Sequence, residues 1–335
     1  MSQTQGGRKG VKIRPRSLGF GMRYRENLMI LLDTIHPNIK QALIERMGPA
    51  REEFRQANPL EYMVVDFDDV QYFLKASSET FTIYCSMLNF DKYENFGVKQ
   101  LLEEKYNKYD IAVSMTKQLQ HDASYDFSLT FDLSTDYGSE NEAVCDSLAR
   151  VKYTVLSAPF FDYFEAVRAG NAPEVRRIPY RASESIYIKK GKEDQIIVVF
   201  SVTFDEKKDW SIAEVFLREF SDVRREPSLQ NAPVASFSRN PPGELDGVKV
   251  EEGEDVIYIS FVLFKKHWDG PKAEQSIGAV LMFRNYLHYH VKASKTFMHM
   301  RMRKTVDSLM GTLNRAKTSA EAAVEKKTWS GRSLN

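Results

Sequence analysis

The sequence predicts an α+β protein: two similar domains, each an antiparallel sheet with covering helices, followed by a long C-terminal helix. Three observations predict it. Short segments alternate apolar and polar residues and are rich in β-branched and aromatic types, as half-buried antiparallel strands are. The order of these segments recurs in the second half of the chain, a weak internal repeat. The stretch Gln275–Lys317 then runs without proline, with Val280, Phe283, Leu287, Val291, Met298, Met302, Leu309 and Leu313 at helical spacing. At 1.5 Å per residue such a helix is about 65 Å long, more than the diameter of a small domain.

The elements follow in order. Residues 1–28 are Gly/Arg-rich, lack a hydrophobic period and read as a disordered basic extension. Two alternatives stand beside that: a mitochondrial presequence, opposed by the glycines and Pro15, and a natural start at Met29. The first domain is expected over 29–168. Val70–Lys75 and Thr80–Phe90 read as a hairpin, Val98–Tyr106 as a helix, and Tyr125–Leu133 as a strand. Ser139–Val167 reads as a helical region that Pro159 should kink or stop. The second domain, 169–270, repeats this order. Glu184–Lys190 and Asp194–Phe204 form a hairpin, Ser211–Phe220 a helix, Val234–Ser238 a short strand inside a proline-rich loop, and Val256–Phe264 the last strand. The long helix, 271–317, belongs to the second domain, and 318–335 is a tail.

Charge is segregated along the chain. The whole protein carries only +1, yet Met1–Arg25 holds seven basic residues and no acidic one. Met29–Glu274 holds 42 acidic against 29 basic residues, and Gln275–Lys317 holds eight basic residues against the single Asp307. An acidic body therefore presents a basic rod, whereas a generic nucleic-acid-binding domain is basic throughout. A solvated helix face usually mixes signs at i, i+4, and this one does not. No run of 18 apolar residues spans a membrane, and the N-terminus has no apolar signal-peptide core. Cys85 and Cys145 both lie in apolar patterns and read as buried, reduced thiols.

Catalytic motifs do not emerge. There is no G-x-x-x-x-G-K-[ST], G-x-G-x-x-G or G-x-S-x-G. His288 and His290 lie about 200° apart around a helix, and His299 is too far along it, so they converge on no metal and read as aromatic-like interface residues. Asp66 and Asp68 in the run Val65–Val70 read as a solvated strand edge or turn, with a hydrolase carboxylate pair as the alternative. No cofactor and no enzyme activity are expected. From the residues alone, an alternative function stands: an RNA- or nucleic-acid-binding protein using the basic tail and helix, with aromatic residues interleaved at Phe283–Tyr289.

The segment Phe283–Lys304 (FRNYLHYHVKASKTFMHMRMRK), preceded by Tyr258–His267 (YISFVLFKKH) and followed by LNRA at Leu313–Ala316, resembles subunit 2 of the actin-related protein 2/3 complex. MILL at Met29–Leu32, DFDDVQY at Asp66–Tyr72, IIVVFSVTF, REFSDVRR at Arg218–Arg225 and PPGEL at Pro241–Leu245 extend the likeness from Met29 to the tail. Residues 1–28 lie outside it, and Asp205–Trp210 matches only approximately. The resemblance implies a non-catalytic subunit of a seven-subunit complex that nucleates branched actin filaments. It implies pairing with subunit 4 through the long helix, contact with the two actin-related subunits, and contact with the side of the mother filament. It implies no membrane or nucleic-acid partner, and a place in the cytoplasm and cytoskeleton at the actin-rich cell cortex. Filament-contacting residues are then expected among Lys292, Lys295, Arg301, Arg303 and Lys304, with Arg224 and Arg225 besides. Subunit-interface residues are expected among Val280, Phe283, Tyr286, Leu287, Val291, Met298 and Met302, buried by another chain together with the second domain.

Overall fold

The computed structural model describes residues 32–47, 59–204, 206–223, 232–250, 253 and 255–315. The extension 1–28, the tail 318–335 and the pair Arg224 and Arg225 lie outside these residues.

Two five-stranded antiparallel sheets carry the fold. The first orders its strands β1 (Leu60–Val65), β2 (Gln71–Ala76), β3 (Thr80–Ser86), β7 (Phe127–Asp132) and β4 (Ala112–Ser114). The second orders β8 (Val175–Arg181), β9 (Glu184–Lys190), β10 (Ile196–Thr203), β12 (Val256–Leu263) and β11 (Val234–Ser238). The two orders are the same: a three-strand meander, then the last strand, with the intervening strand outside it. The repeat in the sequence is thus a repeat of topology.

Helices fill corresponding places. α1 (Pro37–Met47) comes first, then α2 (Phe90–Glu94) and α3 (Val98–Tyr106) follow β3, and α4 (Asn141–Leu148) and α5 (Val151–Ala169) follow β7. In the second half, α6 (Lys207–Val223) follows β10. The short α7 (Lys265–Trp268) and the 43-residue α8 (Ala273–Arg315) follow β12. One continuous core joins Leu74, Ile83 and Leu129 of the first sheet, Phe160 of α5, Val198 and Phe261 of the second sheet, and Leu287 of α8.

Each sheet is covered on its other face as well. The hairpin of β5 (Gln118–Gln120) and β6 (Ala123–Tyr125) closes over Phe73 and Tyr84. The loop carrying Leu245, Val248 and Val250 closes over Tyr187, Val199 and Tyr258. This second cover blurs the apolar alternation, so six of the eight residues of β10 are buried.

Three expectations change. Ser139–Val167 divides near Arg150 into α4 and α5. Pro159 lies inside α5 without ending it; the helix stops at Gly170, whose φ of 74° suits a glycine cap. A helix-interior proline costs about 3 kcal/mol, and the burial of Val155, Leu156, Phe160, Tyr163 and Phe164 offsets it. Most important, the Asp66–Asp68 run is not a solvated turn: Asp68 is only 5% exposed. Among the described residues, no helix is long and apolar enough to cross a membrane.

Candidate functional site

The helix α8 has two halves with different surroundings. Its first half lies in a seam between α5 and α6. Ile277, Val280, Leu281, Phe283, Leu287 and Val291 are buried there by the chain's own core. Phe283 meets Phe261 and Phe220, each with ring centroids 5.0 Å away. Tyr286 and His290 are half-buried against Phe216, at 5.9 and 5.5 Å.

Two polar residues in this seam are also held. The Arg284 guanidinium donates to both oxygens of Glu184, Nε at 2.9 Å and Nη2 at 2.8 Å. Burial opposes its charge, but the Glu184 carboxylate outweighs this and raises its pKa. Asn285 Nδ2 donates to Asp68 Oδ2 at 2.7 Å. Asp68 also pairs with Lys152 Nζ at 2.9 Å. Burial alone would raise its pKa; the Lys152 charge and the hydrogen bonds around it hold the carboxyl below the usual range.

Beyond Val291 no residue of α8 is buried. The remaining 24 residues to Arg315 extend about 36 Å at 1.5 Å per residue. Phe297, Met298, Met300, Met302, Val306, Leu309, Met310 and Leu313 are all exposed there, Met302 at 62% and Leu309 at 57%. Such a density of exposed large apolar side chains on one element marks a surface meant to be covered.

These residues are not scattered. Val280, Val291, Met302 and Leu313 recur every 11 residues, as do Leu287, Met298 and Leu309. The buried seam therefore continues as an exposed one along the same face. A period of 11 residues is 3.67 per turn, close to the helix's own 3.6, so a second helix laid along the seam runs nearly straight beside it.

The expected interface residues accordingly divide. Val280, Phe283, Leu287 and Val291 are spent within this chain's core, Tyr286 half so, and only Met298 and Met302 are free to meet another chain. The expected basic set divides too. Lys295 is turned inward, its Nζ 2.5 Å from Glu206 and 2.9 Å from Asp209 at the start of α6. Lys292, Arg301, Arg303 and Lys304 are exposed. Lys295 lies 11 residues after Arg284, so both inward cations occupy seam positions; that spacing is the signal that separates them from the outward ones.

Of the aromatic residues interleaved at Phe283–Tyr289, Phe283 is buried, and Tyr286, like the neighbouring His290, packs on Phe216. His288 stacks on Phe204. No group of three His, Cys, Asp or Glu side chains suited to a metal ion occurs among the described residues.

Residues 83–320 match the family described as the Arp2/3 complex 34 kD subunit, p34-Arc. The chain is 36% identical over 311 residues to actin-related protein 2/3 complex subunit 2 of Schizosaccharomyces pombe, covering 84% of this chain and 94% of that protein. It is 32% identical over 305 residues to the protein of the same name from Dictyostelium discoideum, covering 89% of this chain and 97% of that one.

Proposed function

This chain belongs to the p34-Arc family of Arp2/3 complex subunits, and from that membership we propose that it is the scaffold on which a branch-nucleating complex meets the mother filament. As a structural subunit of the Arp2/3 complex it belongs to the actin cytoskeleton and to actin nucleation. The finer reading has four parts. The chain pairs through the projecting half of α8 with subunit 4. That pair holds the two actin-related subunits at the centre of a seven-subunit assembly. The outward cations Lys292, Arg301, Arg303 and Lys304 face the acidic side of a pre-existing filament, with Arg224 and Arg225 as further contacts. The chain itself performs no catalysis and works in the cytoplasm at the actin-rich cortex. Residues 29–168 and 169–270 act as its two domains.

The observation that carries the pairing is the exposed 11-residue apolar repeat. An apolar seam some 36 Å long, flanked by cations and continuous with a buried one, suits an amphipathic helix with acidic edges. Coexpression with subunit 4 tests it. The variant Met302→Asp with Leu309→Asp should fold and fail to copurify. Normal copurification would remove α8 beyond Val291 from the interface.

A further inference from the structure

Two neighbouring residues on α8 reach in different directions. Arg284 binds Glu184 at the start of β9, and Asn285 binds Asp68 in the turn between β1 and β2. The circle closes on both sides. Arg284 Nη1 lies 3.4 Å from Asn285 Oδ1. Arg181, at the end of β8, places Nη1 3.2 Å from Asp68 Oδ1 and Nε 3.9 Å from Glu184 Oε2.

We propose that Asp68, Arg181, Glu184, Arg284 and Asn285 form a polar ring that sets the direction in which α8 leaves the body, and hence the angle at which its projecting half is presented. This goes beyond the pairing proposed above and does not depend on it.

The physical case rests on direction. The apolar seam is stabilising but tolerant, because hydrophobic burial has no preferred angle. Hydrogen bonds and bidentate ion pairs fall off steeply with geometry. The ring takes one carboxylate from a turn of the first sheet and one from a strand of the second, and ties both to adjacent residues of one helix turn. A rotation of α8 about its own axis, or a tilt against either sheet, breaks at least one side of it.

Two further features fit this role better than simple stabilisation. Asp68 adopts φ 68° and ψ 28°, a left-handed conformation that glycine would take without strain. The position nevertheless carries a carboxylate, and that carboxylate meets Asn285, Lys152 and Arg181. Buried ion pairs seldom exceed an apolar replacement in stability, and their best-attested use is to fix one arrangement among several.

The test measures orientation and stability together on the full-length chain. Spin labels at Glu79→Cys and Ser308→Cys span the first sheet and the projecting helix; labels at Lys192→Cys and Ser308→Cys span the second sheet and the helix. Cys85 and Cys145 are buried and stay unlabelled. In the parent each pair should give one narrow distance distribution. Asn285→Ala should widen the first at least twofold, and Glu184→Gln with Arg284→Met the second, while melting temperatures stay within a few degrees. The exchange Asp68→Asn with Asn285→Asp, which keeps the donor–acceptor pair, should restore the narrow first distribution. Unchanged widths in folded variants would overturn the proposal. Failure of Asn285→Ala to fold would overturn it equally, since Asp68 keeps both cationic partners and the ring would then be a stabilising element rather than an orienting one.

Discussion

The ring of His288 stacks on that of Phe204, with centroids 4.8 Å and planes 17° apart. Burial, then the charges of Arg284 and Lys292, push the His288 pKa down to about 3. Its ordinary value is near 6.5, so between pH 6.5 and 3 the unfolded chain binds a proton that the folded chain refuses. Stability is fully present above pH 6.5 and falls with acidification by about 1.4 kcal/mol per unit. By pH 5 the loss from this one residue should be about 2 kcal/mol. His288→Phe preserves the stacking and removes the titration. Urea unfolding between pH 5 and 7 should be measurably flatter for that variant than for the parent; an identical slope would place the dependence elsewhere.

Lys152 is 1% exposed, and its Nζ meets Asp68 Oδ2 at 2.9 Å, Asp66 Oδ2 at 3.3 Å and the Phe67 carbonyl at 2.9 Å. Removing the cation while leaving the carboxylates buried costs about 3–5 kcal/mol in comparable cases. Lys152→Met should show a loss of that size in denaturant unfolding. Adding Asp66→Asn should recover part of it. A loss below about 1 kcal/mol would mean that water reaches the site and solvates the carboxylates.

These buried charges were the part of the protein least legible in its sequence. Local period revealed what depends on local period: α3 and β11 have the bounds read for them, and α8 has the length, displaced by two residues. The strand β1 has no clean alternation in LEYMVV, because its Glu61, Tyr62 and Met63 are all exposed at a sheet edge. Helix α6 begins before the expected Ser211 because it opens on the polar residues Lys207, Lys208 and Asp209, which carry no apolar period. Asp68 looked like turn chemistry because its partners lie at Lys152, Arg181 and Asn285, and nothing in a local window brings them near. Arg284 and Lys295 did carry a trace: each is a cation at a seam position of an apolar helix face, where an unpaired charge would be costly. The apolar face of the projecting half was legible in its period; which seam residues the chain covers itself depends on α5 and α6, which no local window brings near.

The division of the seam has a sharp experimental form. Phe283→Asp puts a charge between Phe261 and Phe220 and should destabilise the chain itself by several kcal/mol. Met302→Asp and Leu309→Asp lie on exposed surface and should change unfolding free energy by about 0.5 kcal/mol or less. Calorimetry on the three single variants separates them. Equal destabilisation by Met302→Asp would show that the far half of α8 packs within the chain.

The cations should divide in the same way. Charge reversal at Lys292, Arg301, Arg303 and Lys304 leaves the fold untouched, because their side chains are exposed and none pairs with an acidic group among the described residues. If these residues face a filament, co-sedimentation of the assembled complex with actin should weaken. The defect should be largest at 50 mM salt and shrink by 200 mM, where screening already weakens the parent's attraction. Lys295→Glu should behave differently. It sets a carboxylate against Glu206 and Asp209, so its effect should appear as a lower melting temperature of the isolated chain. Filament binding that is unchanged after the fourfold reversal at every salt concentration would exclude this face of α8 from the filament contact. A salt-independent loss, by contrast, would indicate that assembly had failed before any filament was met.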